Sequence, residues 1–248
     1  MISLAGKTAL ITGASRGIGR LTALAMAGLG CDLILHSRAL GHTTTVAEEA
    51  SRFGISVEQV AADLTRPEAL ASMLDDLQAN TQGIDIVFNN AGFQAPYRDE
   101  IWDAPVEDFA ASFQVHCTAV AMICFCLIPG MMKRQFGRVI NVTSGIRNEP
   151  EQAAYSASKA ALDRFTRDLG SRLEGSNVLI NLADPGWCRT ELGGASAPND
   201  PESSLPGMLV GAFVNDQRSG RLFSAQNFSN LSLEEAVARA ESQASRGV

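Results

Sequence analysis

Ala9-Leu10-Ile11-Thr12-Gly13-Ala14-Ser15-Arg16-Gly17-Ile18-Gly19 runs from an apolar stretch into a glycine-punctuated turn and out into a helical pattern. A short buried strand that gives way at once to a helix is the unit from which parallel sheets are built. In such a turn Gly13 is free to take a positive φ, Gly17 lets a ligand approach the backbone, and Gly19 lets the helix pack close to the sheet. The free N–H groups and the dipole at the helix start face whatever anion binds there. The spacing is not Gly-x-Gly-x-x-Gly, so the turn is either a phosphate cradle or a plain strand-to-helix connection. Its place after the first strand favours the cradle.

Outward from this turn the alternation continues. Strand patterns at Thr8 to Ile11, Leu33 to His36, Val57 to Ala61 and Ile84 to Phe88 alternate with helical patterns at Gly17 to Leu29, Thr43 to Phe53 and Pro67 to Ala79. A long helix from about Pro105 to Met132, a strand at Arg138 to Val142, a helix from about Ala153 to Leu173 and a strand at Asn177 to Leu182 follow without a linker. This order predicts an α/β fold, a doubly wound parallel sheet with helices on both faces, in one domain spanning residues 1–248. The Gly, Ser, Ala and Pro-rich stretch from Glu191 to Leu205 interrupts the pattern and is expected to be a loop that acts as a lid over a ligand. Beyond it Ser203 to Val214 reads as helix, Gly220 to Phe223 as a last strand and Leu233 to Ala244 as a terminal helix.

Composition narrows the function. With 248 residues, 46% hydrophobic and 19% charged, the chain has the makings of a sizeable core. A formal charge of -7, with no basic run to offset it, argues against nucleic acid and anionic membranes as partners. The opening Met1 to Lys7 lacks a basic segment followed by an apolar one, which predicts a cytoplasmic protein. The most apolar run, Ala119 to Ile128, is too short to span a bilayer and is read as a buried helix. Five cysteines at uneven spacing are expected to stay reduced, and Cys124 and Cys126, two apart on a helix, point to different sides, so no metal site is expected.

Tyr155-Ser156-Ala157-Ser158-Lys159 places a phenol and an ammonium four residues apart on one helix face. A phenol titrates near ~10 in water and a nearby cation favours the phenolate, so the pair is expected to move a proton close to neutral pH. Ser144, at the end of the preceding strand, is placed to hydrogen-bond the same group that the phenol serves. Taken alone, the pair is also what a half-exposed helix face carries by chance.

Thr12-Gly13-x-x-x-Gly17-x-Gly19, Asn89-Asn90-Ala91-Gly92, Ser144, Tyr155-x-x-x-Lys159 and Pro185-Gly186 occur in this order over nearly the whole chain. Together they resemble the short-chain dehydrogenase/reductase family, its 3-oxoacyl and carbonyl reductases in particular, and so a Rossmann-type sheet. The resemblance implies an NADP(H)-dependent oxidoreductase that interconverts a carbonyl and a secondary alcohol by hydride transfer. Tyr155 would be the general acid and base, Lys159 would lower its pKa and hold the nicotinamide ribose, and Ser144 would orient the substrate oxygen. The same carry-over gives the cofactor Gly13, Ser15, Arg16, Gly17, Ile18 and Gly19 of the turn. It adds Asp63 and Leu64 at the adenine, Asn90, Ala91 and Gly92 at the riboses, and Pro185, Gly186 and Thr190 along the nicotinamide. Asp63 also reads as a turn residue ahead of Pro67, and Thr190 as a loop hydroxyl.

Cofactor choice rests on Leu35-His36-Ser37-Arg38, where NAD-preferring members of the fold carry a carboxylate and this chain carries none. Arg38, with Arg16, suits the 2′-phosphate of NADP, the alternative for either being a solvated surface arginine. Substrate contacts are expected from Ser144, Tyr155, Gln94, Ile146 and Trp187, with Phe93, Tyr97 and Arg147 as further walls. The chain departs from the family at His116, which stands where an asparagine marks a helix irregularity and holds a relay water. His116 either takes over that relay, titrating at about 6 to 7, or packs elsewhere. The separation from Ser144 to Tyr155 is short and predicts a compact loop from Gly145 to Gln152. A small carbonyl or alcohol is the expected partner, and a homodimer or homotetramer through the two long helices is the expected assembly. A non-catalytic NADP-binding sensor, and a dehydration or epimerisation on the same scaffold, are the other readings.

Overall fold

The computed structural model describes residues 1–81 and 83–243. Seven strands, β1 (Thr8–Ile11), β2 (Asp32–Ser37), β3 (Val57–Ala61), β4 (Ile86–Asn89), β5 (Gly137–Val142), β6 (Val178–Asp184) and β7 (Leu222–Ser224), form one sheet in the order β3-β2-β1-β4-β5-β6-β7. Every neighbouring pair is parallel. The order reverses between β1 and β4, and at such a switch point the connections leave to opposite faces and open a crevice beyond the strand ends.

The strands alternate between two cores. Ala9 and Ile11 of β1 face one apolar cluster with Leu33, Phe88 and Phe213, while Leu10 faces the other with Ile34, Val87 and Ile180. Helices α1 (Gly17–Gly28) and α2 (Thr44–Ser51) cover the first face. The second is covered by α3 (Pro67–Asn80), by the long helix made of α4 (Val106–Phe113) and α5 (Ala119–Arg134), and by α6 (Ala153–Arg172). Val106–Arg134 is long and apolar enough to cross a membrane by length and composition, yet Ile123, Cys124, Leu127 and Met131 are buried in the second core. Its outer side leaves Phe125 and Met132 exposed.

A π-helical turn over Gln114–Thr118 separates α4 from α5. The extra residue shifts the register of the side chains and turns His116 inward, where it is 1% exposed. The predicted helix over Ser203 to Val214 is not continuous. A 3₁₀ turn at Pro201–Ser204, a second at Gly207–Leu209 and a single α turn α7 (Val210–Phe213) replace it. Pro206 supplies no N–H and disfavours the helical conformation at Leu205, so the chain cannot stay helical through this stretch. The last helix α8 is Leu233–Gln243, and the expected end at Ala244 lies outside the described residues.

Candidate active site

The crevice is built from the ends of β1, β2, β4, β5 and β6. After β1, Gly13 takes φ +65° and a Cβ there would stand 2.8 Å from Ala91 Cα. Gly19, in the first turn of α1, is tighter: a Cβ would stand 2.2 Å from the Gly13 carbonyl and 2.4 Å from Asn90 Nδ2. The sequence reading assigned Gly19 to helix-on-sheet packing, but the close approach is to the turn itself. Thr12 Oγ1 accepts the N–H groups of Asn90 and Ala91 at 3.0 Å each, and the Asn90 amide donates to Thr12 O and Gly13 O. Asn90 therefore braces the turn from below, and Thr12 ties β1 to the chain leaving β4.

On the β2 side His36, 1% exposed, accepts the Gly13 N–H on Nδ1 at 3.4 Å and donates from Nε2 to Ala62 O at 3.0 Å. Burial holds its imidazole below the usual pKa, which keeps Nδ1 free to accept. Arg38 is exposed at the end of β2 and has no ion pair among the described residues. Asp63 accepts from the Thr65 amide and hydroxyl, as the turn reading expected, and these bonds, with Arg38 and Arg66, hold its carboxyl below the usual range. Arg16 pairs at 2.6 Å with Glu191, so an exposed ion pair links the glycine turn to the start of the 191–205 loop. Thr190 accepts the Gly193 N–H and lies within 3.4 Å of a Cβ built on Gly17.

Ser144, Tyr155 and Lys159 converge beyond the end of β5. The Tyr155 phenol is hydrogen-bonded to Ser144, and burial pushes it up to about 12 despite that bond, with the Asp184 carboxylate adding to the rise. Burial here outweighs the lowering that the sequence reading expects of Lys159. Lys159 lies 5.7 Å from the Tyr155 ring centroid and its Nζ donates to Val142 O at 2.7 Å. Burial lowers Lys159 to about 8, against the pull of Asp163 and Asp184.

His116 joins this group from the π turn. Its ring stands edge-to-face against Tyr155, with centroids 5.3 Å apart. Nε2 accepts the Phe93 N–H at 2.9 Å, and Nδ1 is 2.8 Å from Ser158 Oγ, which donates to Tyr155 O. A backbone N–H can only donate, so Nε2 is unprotonated and Nδ1 carries the hydrogen, passing it to Ser158. Burial, with the Lys159 charge, drives the imidazole down to about 2. The expectation of a relay histidine titrating at about 6 to 7 is thus overturned: protonation of Nε2 would set one N–H against another. In a histidine NMR titration the His116 resonances are expected to stay fixed from about pH 5 to 8. A midpoint near 6.5 would contradict this, and the three histidines of the chain make it readable.

The substrate side is only partly as expected. Gln94 donates to Gln152 at 3.0 Å across the crevice, and Ile146 N–H points to Ser144 Oγ at 3.3 Å. Trp187 is 59% exposed, its indole N–H bonded to Gly193 O. A cleft of about 230 Å³ beside Tyr155 is instead lined by Ala95, Ile101, Trp102, Phe109 and Pro150, none of them singled out from the sequence. The 145–152 loop is compact, closing on a 3₁₀ turn at Pro150–Gln152. The 191–205 loop folds back on its own stem, Arg189 N–H donating to Asn199 O and Asn199 N–H to Trp187 O. Ser158 and Asp184 were missed as well. Ser158 lies inside the quoted Tyr155 to Lys159 stretch, and Asp184 directly precedes the quoted Pro185-Gly186, where a carboxylate ending an apolar strand was the available signal.

This crevice, at the switch point of a doubly wound sheet, has the form of a Rossmann-class enzyme site. The family model for short chain dehydrogenase matches residues 7–201, and the chain belongs to the short-chain dehydrogenase/reductase family of oxidoreductases. It is 32% identical over 195 residues to the 3-oxoacyl-[acyl-carrier-protein] reductase of Aquifex aeolicus (strain VF5), covering 77% of each chain. It is 33% identical over 192 residues to the 2-dehydro-3-deoxy-D-gluconate 5-dehydrogenase of Bacillus subtilis (strain 168), covering 76% of this chain and 73% of that one. Among solved structures, a 3-oxoacyl (acyl-carrier-protein) reductase from Agrobacterium tumefaciens C58 with NADP bound superimposes with a TM-score of 0.74 at 28% identity, over 95% of this chain and 87% of that one.

Proposed function

We propose that the protein is an NADPH-dependent carbonyl reductase, with Tyr155 as the proton donor. The observation that carries this reading is the convergence of Tyr155, Ser144 and Lys159 at the crevice mouth, with the phenol half-buried and kept protonated. The glycine cradle fits a dinucleotide: Gly13 and Gly19 leave no room for side chains, and among the described residues no side chain caps the start of α1. A pyrophosphate would meet those free N–H groups at Ser15, Gly17 and Ile18. When bound, NADPH supplies the hydride that reduces the carbonyl carbon.

The rest falls to the chain's own residues. Ser144 Oγ and Tyr155 Oη both face the carbonyl oxygen, and Tyr155 passes its proton to that oxygen as negative charge develops there. The phenolate left behind faces the Lys159 ammonium, whose charge offsets it. A phenol held near 12 carries its proton at neutral pH, so the form that donates is the one present in the site. Trp102, Ile101 and Phe109 beside Tyr155 favour an apolar group next to the carbonyl. The 191–205 loop is the lid of this reading, resting on the glycine turn through Arg16 and Glu191.

Consumption of NADPH across a panel of ketones, β-ketoacyl thioesters and keto sugars tests the reading. Absence of turnover on all three classes, with NADPH bound, would leave the cofactor-binding sensor in its place. Cofactor choice has its own test. Arg38→Ala is expected to weaken NADPH binding roughly tenfold to a hundredfold, the value of one charge-assisted phosphate bond, and to leave NADH binding unchanged. Arg16→Ala is expected to cost less, since Arg16 is already paired with Glu191. Equal affinities of the wild type for NADPH and NADH by fluorescence titration would contradict the preference.

A further inference from the structure

Asp184 is the last residue of β6, beside the end of β5 that leads to Ser144. A carboxylate on the end of a mostly apolar strand requires partners. Oδ1 accepts the Gly186 N–H at 2.9 Å, closing the turn that begins at Pro185. The second partner lies beyond the neighbouring strand: Oδ2 rests against Gly145, where a Cβ would stand 2.9 Å from it, and burial raises the carboxyl against the lowering pull of the Gly186 and Gly145 N–H groups and of Lys159. A local turn would need only the Gly186 bond. The contact with Gly145 crosses from one strand to the next, and residue 145 must be glycine for the carboxylate to sit there.

We propose that Asp184 is a positioning residue of the active site: its carboxylate clasps the Ser144–Gly145 turn to the Pro185–Gly186 turn and is a counter-charge for buried Lys159. The proposal rests on the reductase reading for its catalytic consequence, though not for its geometry. The ionisable groups around Asp184 are Lys159, Tyr155 and Asp163 of α6 and Cys188 of its own loop; His116, facing Lys159 from the π turn, stays neutral. Asp163 also faces Lys159 and raises it more than Asp184 does, while its Oδ1 accepts the Thr143 hydroxyl at 2.5 Å. Asp184 is the one of the two tied to both loops.

The sign of the effect follows. A negative charge favours the ammonium, so removing it lowers the Lys159 midpoint, while the phenol of Tyr155 loses a charge that resists its ionisation. Asparagine keeps the shape of the side chain but offers a single acceptor oxygen, and its amide hydrogens would meet the second backbone N–H. One of the two turns must therefore be released.

The experiment is an NMR titration of lysine-labelled, cofactor-free protein, wild type against Asp184→Asn. The chain has only three lysines, Lys7, Lys133 and Lys159, so the spectrum is simple. The Lys159 midpoint, about 8 in the wild type, is expected to fall in the variant. Amide exchange at Gly145 or Gly186 is expected to quicken roughly tenfold or more. In turnover, kcat is expected to fall about tenfold, with the basic limb of the pH profile moving down by the same amount as the midpoint. An unmoved Lys159 midpoint, with both amides exchanging at the wild-type rate, would overturn the proposal. Because this readout needs neither cofactor nor substrate, failure of the wild type to reduce any ketone would sink the reductase reading and leave the clasp to be judged on the titration.

Discussion

Tyr155→Phe is expected to lower kcat for ketone reduction by about 10²- to 10⁴-fold and to leave NADPH binding within about twofold of the wild type. The phenyl ring keeps its edge-to-face contact with His116 and its place near Lys159, so packing and the cofactor cradle are undisturbed. What is lost is one oxygen, the partner of Ser144 and the more acidic of the two hydroxyls that face the carbonyl in this reading. Lys159 remains in the variant, with one of its ammonium hydrogens on Val142 O. Steady-state kinetics with one good ketone, beside a fluorescence titration of NADPH, separates the two effects. A variant retaining more than about a tenth of wild-type kcat would remove Tyr155 from the proton-transfer step. Tyr97 is the only other tyrosine, so a spectroscopic titration of the wild type also reports whether the phenol stays protonated well above the usual ~10.

The second large effect belongs to Gly19→Ala. A methyl group there would be forced to 2.2 Å from the Gly13 carbonyl and 2.4 Å from the Asn90 amide, and neither can withdraw. The carbonyl is part of the turn, and the amide is bonded to Thr12 O and Gly13 O. Either α1 moves off the sheet or the turn opens, and both spoil the row of N–H groups at the helix start. Such overpacking costs on the order of 3 kcal/mol, which lowers Tm by roughly 6–12 °C in a chain of this size. NADPH binding is expected to be lost at concentrations that saturate the wild type. Gly28→Ala is the control: it sits in the last turn of the same helix, and its Cβ would meet only Phe53 at 3.5 Å, so it is expected to be neutral or slightly stabilising. A Gly19→Ala protein that melts and binds NADPH like the wild type would show that the turn does not cradle the cofactor.

Most of the fold was legible because it is written in local patterns. Apolar runs of four to seven residues between helical stretches located every strand from β1 to β6 to within about two residues. Gly13 was recognisable as a positive-φ position from the strand-to-helix break alone. The 203–214 region was misread because its apolar residues suggested helix and the weight of Pro206 was overlooked.

What the sequence determined by itself is the doubly wound sheet, the glycine turn at its switch point and the spacing of Tyr155 and Lys159 on one helix. These follow from periodicity, turn chemistry and distances of a few residues, which the chain carries without reference to anything remote. The tertiary structure alone decided the electrical state of the site. That Tyr155 is a firmly held phenol, that Lys159 sits near 8 and that His116 is a neutral spacer all follow from burial. The same holds for contacts spanning tens of residues: Phe93 N–H on His116, His116 on Ser158, Gly145 against Asp184. A pKa depends on how much water a folded chain excludes and on which charges it brings near, and neither quantity exists until the strands have paired.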